Sequence, residues 1–163
     1  MMEIISRLLA TILFVLLLPL VIFISIISII SQGGPIIYRQ VRVGKNFKEF
    51  VIFKFRTMDK NSDNSAFSSG KNIKASKWGK FLRKTKLDEI PQLINIIKGD
   101  MRFIGPRPAG FNEFPNYEDW HCRKLSVKPG ISCLWQVSGR NNIDNFDDWV
   151  KLDLEYIDNW SLW

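Results

Sequence analysis

Within "RKTKLDEIPQL", residues 83 to 93, two adjacent carboxylates, Asp88 and Glu89, follow a basic run and precede an apolar stretch that contains Pro91. Leu87, Ile90, Leu93, Ile94 and Ile97 recur at helical spacing, and "KGD" at 98–100 supplies a cationic last turn followed by a glycine stop. A helix is therefore predicted to start here, with Asp88 as its N-cap or a first-turn residue and Pro91 where a missing N–H costs little. Acids favour that place because they accept hydrogen bonds from free amides and oppose the macrodipole. The same field is expected to lower the pKa of Asp88 and keep it an unprotonated nucleophile, so capping and chemistry are compatible readings. His121 is the only histidine and is expected to be structural or at the surface. Cys122 and Cys133 lack metal-ligand spacing and are expected to be free thiols.

The elements that must position the pair differ sharply in charge. The 163 residues amount to one domain's worth of chain with a formal net charge of +7. Up to Leu87 there are 15 Lys+Arg against 4 Asp+Glu, and from Asp88 onward 8 against 12. Such a basic half suits nucleic acid, anionic lipid or phosphorylated small molecules, and charge alone does not choose among them. The neighbouring segment narrows the choice: Leu8 to Ile30 is a run of 23 residues without a charge. A straight helix of that length is about 34 Å, enough to cross a hydrocarbon core roughly 30 Å thick. No small-residue cleavage site of the A-x-A kind follows it.

Pro19 sits almost at the centre of this run and removes one helical hydrogen bond. Two arms of roughly 16 Å each would enter and leave by one face, whereas a single kinked helix would span; both readings fit these residues. Arg39, Arg42, Lys45, Lys48, Lys54 and Arg56 follow the run closely, against Glu3 and Arg7 before it, which places everything after Gln32 in the cytoplasm. Beyond "SQGGP", the alternation in "IIYRQVRV" and "FKEFVIFKFRTM" around "GKN" predicts a β-hairpin. Residues 59 to 75 are polar and predict a mobile surface loop, and "SKWGKFLRKTK" predicts a short basic helix.

The ordered set "KFRTM" (54–58), "RKTKLDEIPQLINIIKGDM" (83–101), "GPRP" (105–108) and "KPGISCLWQVSGR" (128–140), behind an N-terminal hydrophobic segment, resembles the bacterial sugar transferases known as monotopic phosphoglycosyl transferases. The resemblance runs from about residue 4 to the end of the chain. It implies transfer of a sugar 1-phosphate from a UDP-sugar to polyprenyl (undecaprenyl) phosphate at the cytoplasmic face of the bacterial inner membrane, with release of UMP, to initiate cell-surface polysaccharide or glycoconjugate synthesis. By match to the family's Asp-Glu dyad, Asp88 is implied as the nucleophile that carries the phosphosugar and Glu89 as a ligand of Mg²⁺. Lys54, Arg56, Arg83, Arg107, Pro108, Gln136 and Arg140 are implied in substrate binding, and Pro19 as the membrane break. Magnesium binds through one or two carboxylates plus substrate phosphates, so the lack of a larger ligand cluster is no objection. Arginine suits such a site because its fork binds phosphate oxygens in pairs. The implied partners are UDP-sugar, polyprenyl phosphate and membrane lipid, with a homodimer and downstream glycosyltransferases beyond them and no nucleic acid.

The expected architecture is thus α+β: a re-entrant membrane helical hairpin over residues 1–32, then a small, mainly helical cytoplasmic catalytic domain with a β-hairpin over 33–163. Three departures from the family stand out. Leu18 precedes the membrane proline where relatives often carry Ser, fewer basic residues come before the apolar run, and the chain ends at "DNWSLW" where relatives commonly continue. The four-span module of the larger members is not seen in this sequence. Trp135 reads equally as site lining or core, and Trp149, Tyr156, Trp160 and Trp163 read equally as headgroup anchors or core. The competing functions are a membrane-tethered glycoside hydrolase and a non-enzymatic basic adaptor at the membrane surface. The hydrolase is disfavoured because neighbouring helical residues project about 100° apart, a poor way to flank one glycosidic bond.

Overall fold

The computed structural model describes residues 2–58, 75–138 and 145–160, arranged as an α+β fold beside one long apolar helix. Helix α1 spans Met2–Gln32 and leads into the hairpin of β1 (Ile37–Val43) and β2 (Glu49–Phe55). These pair antiparallel, with Tyr38 opposite Lys54 and Arg42 opposite Phe50, and β4 (Ala109–Gly110) joins the other edge of β1. Helix α2 (Lys77–Thr85) is followed by a 3₁₀ segment, Leu87–Gln92, and then by α3 (Leu93–Lys98). Strand β3 (Arg102–Ile104) pairs in parallel with β5 (Gly130–Ser132). The short α4 (Asp119–Cys122) lies between them in sequence, and α5 (Leu134–Val137) and α6 (Phe146–Asp158) follow. The polar loop expected over 59–75 falls, but for its last residue, outside the described residues.

The helix predicted from Leu87 begins there and stops at Gly99, whose φ of 85° is a left-handed conformation that glycine adopts without strain. Its first half is 3₁₀ rather than α, and Lys86, itself left-handed, separates it from α2. The membrane segment needs a larger correction. No two-armed hairpin forms: α1 continues through Pro19 as one helix of 31 residues. One missing hydrogen bond is tolerated because the helix is held on both sides of the proline. Ala10 is buried among Phe50, Leu93 and Ile96, and Ile24 among Phe55 and Leu82. Both ends are tied to the same domain as well. Glu3 pairs with Arg102 at 3.2 Å and Lys128 at 3.0 Å, Arg7 donates to the Lys98 carbonyl, and Trp78 Nε1 donates to Ser28. The remaining faces of α1 leave Leu8, Ile12, Val15, Leu16, Phe23 and Ile26 exposed.

The tie between the sheet and α3 is one side chain. Asn95 is fully buried; its Nδ2 donates to the Val51 carbonyl at 2.7 Å and its Oδ1 accepts from the Phe53 amide at 3.2 Å. The amide therefore stands in for a further strand along the free edge of β2. Its own carbonyl accepts from the amides of Gly99, Asp100 and Met101, which closes the end of α3. Asn95→Asp replaces the donor to Val51 with an acceptor and leaves a buried carbonyl unpaired, and should cost about 2–3 kcal/mol. Denaturant unfolding in detergent micelles measures this, and an unchanged midpoint would show that the edge of β2 is held by something else.

Candidate active site

Lys54 stands near the end of β2, on the sheet face it shares with Ile52 and, across the hairpin, with Gln40 and Arg42. The 3₁₀ segment crosses this end of the strand and sets Glu89 Oε1 3.5 Å from Lys54 Nζ. Asp88, one residue earlier, is 8% exposed, and its Oδ1 is buried without a hydrogen-bond donor among the described residues. Burial above all, and then the neighbouring Glu89 carboxylate, push the Asp88 carboxyl above its ordinary pKa, against the pull of Lys54, Lys86 and Arg83. This corrects the expectation of a lowered pKa: the loss of water outweighs the field of a helix start. Lys54 is itself pushed down by burial, while Glu89 and Asp88 act to raise it.

Arg83 comes forward from α2 because that helix rests directly on the strand exit. A Cβ on Gly79 would lie 1.9 Å from the Thr57 carbonyl oxygen, so only glycine permits the contact. Arg83 Nε then donates to Thr57 Oγ1 at 2.8 Å. Arg56 goes elsewhere: its guanidinium donates to the carbonyls of Gln32, Gly33 and Gly34 and caps the end of α1. Arg140 lies outside the described residues, and so does Trp163.

Lys54 and Glu89 open onto a cleft that is also lined by Arg107, Pro108 and Gln136, three of the residues the resemblance implied in substrate binding. Arg42 and Gln92, which sequence reasoning did not select for the site, also line it. The signal for Arg42 was present: counting alternate residues across the hairpin from Lys54 puts Tyr38, Gln40 and Arg42 on the same face. The loop that carries Arg107 is held from two sides. The Gly105 amide donates to the Ser132 carbonyl and the Gly130 amide to the Pro106 carbonyl, which extends the β3–β5 pairing into the loop. On the other side the Arg107 amide donates to Asp153 Oδ1 of α6 at 3.3 Å, and Asp153 forms a buried ion pair with Lys124 at 3.1 Å. His121, buried, accepts from the Glu118 amide through Nδ1 and faces Asp147 through Nε2, a structural role as expected. Cys122 and Cys133 are free thiols.

Two adjacent carboxylates stand with Lys54 and Arg83 near them, and Arg107 lines the same cleft as Glu89, an arrangement of acids and cations that can offset phosphate charge. The model of the bacterial sugar transferase family matches residues 1–163. The chain belongs to the bacterial sugar transferase family. It is similar to the galactosyl transferase CpsE of Streptococcus agalactiae, 43% identical over 82% of this chain and 32% of the relative. It is also similar to the undecaprenyl-phosphate galactose phosphotransferase of Salmonella typhimurium, 40% identical over 83% of this chain and 32% of the relative. A third relative is the UDP-glucose:undecaprenyl-phosphate glucose-1-phosphate transferase of Klebsiella pneumoniae, 33% identical over 94% of this chain and 35% of the relative. The chain spans about a third of the length of each of these proteins.

For this sugar transferase, the donor set at the dyad suits a hard cation. Glu89 contributes carboxylate oxygens at the cleft, and Asp88 Oδ1 holds a lone pair to which no described residue donates. Magnesium takes one or two protein carboxylates and fills its remaining positions with water and phosphate oxygens. The buried pair behind Arg107 yields a stability prediction. Lys124→Met strands Asp153 as an uncompensated buried carboxylate and should cost about 3–5 kcal/mol, while adding Asp153→Leu should recover most of that loss. Unfolding midpoints of the two variants measure it, and equal losses in both would show that the pair does not stabilise through charge.

Proposed function

We propose that this transferase moves a sugar 1-phosphate from a UDP-sugar to polyprenyl phosphate in two steps through Asp88. The observation that carries the reading is Asp88, whose buried Oδ1 takes no hydrogen bond from any described residue, next to the Glu89–Lys54 pair that opens onto the cleft lined by Arg107. The names of the Salmonella and Klebsiella relatives support it, since both concern undecaprenyl phosphate and one includes UDP-glucose. In the first step an Asp88 carboxylate oxygen bonds to the phosphorus next to the sugar. The phosphoanhydride bond breaks, and its electron pair leaves with UMP. In the second step an oxygen of polyprenyl phosphate attacks the same phosphorus and returns Asp88 to a free carboxylate. Lys54 and Arg107 offset the charge that builds on the phosphoryl oxygens, and Arg83 holds the nucleophile's surroundings positive. Glu89 would hold Mg²⁺, which when bound neutralises diphosphate charge in the ground state and the transition state.

The burial of Asp88 gives this reading a pH signature. The nucleophile must be ionised, and its pKa is raised, so turnover should fall as pH drops through a value above the ordinary aspartate range. Lys54→Met removes a cation that holds that pKa down, and should move the acid limb of kcat/KM to higher pH. Asp88→Asn should abolish turnover. Protein given a UDP-sugar without lipid should gain the mass of one sugar phosphate at Asp88. Intact-protein mass spectrometry that finds no adduct, with UMP release still present, would favour direct transfer instead.

We propose further that α1 lies in the cytoplasmic face of the inner membrane without crossing it. Its two ends are tied to one domain, at Glu3 and Arg7 and again at Ser28, which a crossing helix would separate. A cysteine at position 2, with Cys122 and Cys133 replaced, should resist an impermeant thiol reagent in intact cells. Strong external labelling would overturn the arrangement and leave the dyad untouched.

A further inference from the structure

Arg42 is a cation of the cleft that neither the sequence motifs nor the dyad explains. Its side chain is 13% exposed, and Nη2 donates to Gln40 Oε1 at 2.8 Å. Nη1 is buried without a hydrogen-bond acceptor among the described residues; the nearest carboxylate oxygen, Glu113 Oε1, stands 3.8 Å away. Glu113 is turned aside, because its Oε2 accepts from the Gly110 amide at 3.0 Å. Burial and the neighbouring Arg107 both disfavour the charged guanidinium, with Glu113 opposing them. Arg42, mostly buried, with a donor no described residue uses and repelled by Arg107 at the same cleft, suits an anion beside it.

Position selects which anion. Tyr38 stands opposite Lys54 and Arg42 lies four residues farther along β1, on the same face. At roughly 3.4 Å per residue the two cations sit about 13 Å apart along the strand, less the reach of their side chains. Any phosphate that reacts must reach the phosphorus attacked by Asp88, at the Lys54–Glu89 end. The lipid phosphate is bound by that condition, whereas the nucleoside side of the donor extends away from it. Resting on the proposed phosphoglycosyl transfer, we infer that Arg42 is a binding residue for the nucleoside-side phosphate of the donor, the phosphate that departs with the nucleoside as UMP. Arg107 lines the same cleft and acts electrostatically on both Lys54 and Arg42, so the diphosphate runs from Lys54 past Arg107 to Arg42. Glu113 acts as the guanidinium's stand-in counter-ion until the phosphate arrives.

The test uses the full chain in detergent or nanodiscs, with UMP alone as probe and uridine as control. UMP should stabilise the parent protein against heat and uridine should do so far less. Arg42→Gln should weaken UMP binding about tenfold or more, the loss expected for a charge-assisted hydrogen bond. KM for the UDP-sugar should rise in step, while KM for undecaprenyl phosphate stays within about twofold. Arg42→Lys should recover part of the affinity, since it keeps the charge and loses the fork. Glu113→Gln, which removes the competing charge but keeps an acceptor for Gly110, should tighten UMP binding. A merely structural Arg42 would lower the melting temperature without changing the shift that UMP produces, and that result would overturn the inference. So would a rise in KM confined to the lipid phosphate, or weaker UMP binding in Glu113→Gln. If Arg42→Gln does not fold, Arg42→Lys and Glu113→Gln decide the matter between them. Failure of the parent to release UMP from any UDP-sugar would sink the proposed transfer, whereas the UMP binding comparison stands apart from turnover.

Discussion

One buried amide, Asn95, holds the architecture of the site in register. A strand edge carries backbone groups that cost free energy if they are buried unpaired, and the free edge of β2 meets a helix, which cannot offer a ladder. Asn95 supplies one donor and one acceptor at the spacing of Val51 and Phe53, and so joins α3 to the strand that carries Lys54. Because the 3₁₀ segment with Asp88 and Glu89 runs straight into α3, the same joint sets the 3.5 Å separation of Glu89 and Lys54. The acids and the cation that faces them are therefore positioned by one side chain that touches neither.

Electrostatics at the cleft is left unbalanced in a way that suits phosphate. Among the described residues nothing donates to Asp88 Oδ1 and nothing accepts from Arg42 Nη1, and both groups are buried enough for this to raise the energy of their charged forms. Stability alone would favour pairing or removing such groups. In the proposed reaction a diphosphate and its cation would meet both ends at once, so the unfavourable charges would be relieved together. The Lys124–Asp153 pair works the other way: it is closed, buried and fully matched, and it fixes the backbone of the loop from which Arg107 reaches the cleft.

The long helix follows the same logic of double attachment. A lone proline in a free apolar helix invites a break, but α1 is packed before and after Pro19 and tied at both ends by charges and side-chain hydrogen bonds. Arg56 shows how such attachment recruits residues from a motif. It sits two positions from Lys54 in "KFRTM", yet it spends its donors on the last carbonyls of α1 and thereby joins the membrane element to the strand of the site.

Much of this was legible in the chain itself, because local rules act over a few residues. The 23-residue uncharged run, the hairpin alternation, the helix that stops at Gly99 and the free thiols all follow from periodicity, turn chemistry and spacing. The ordered motifs also identified Lys54, Glu89, Arg107, Pro108 and Gln136, which the fold gathers at one cleft from four separate segments. Tertiary structure decided the rest. Whether a helix start lowers or raises the pKa of Asp88 depends on how much water the fold removes, and burial won. Whether Pro19 ends a helix depends on what packs against either side of it. Whether Arg42 or Arg56 faces the cleft depends on strand register and on where α1 ends, and both follow from contacts between residues far apart in sequence. Periodicity carries no information about such pairings, since each is set by which surfaces meet once the chain has folded.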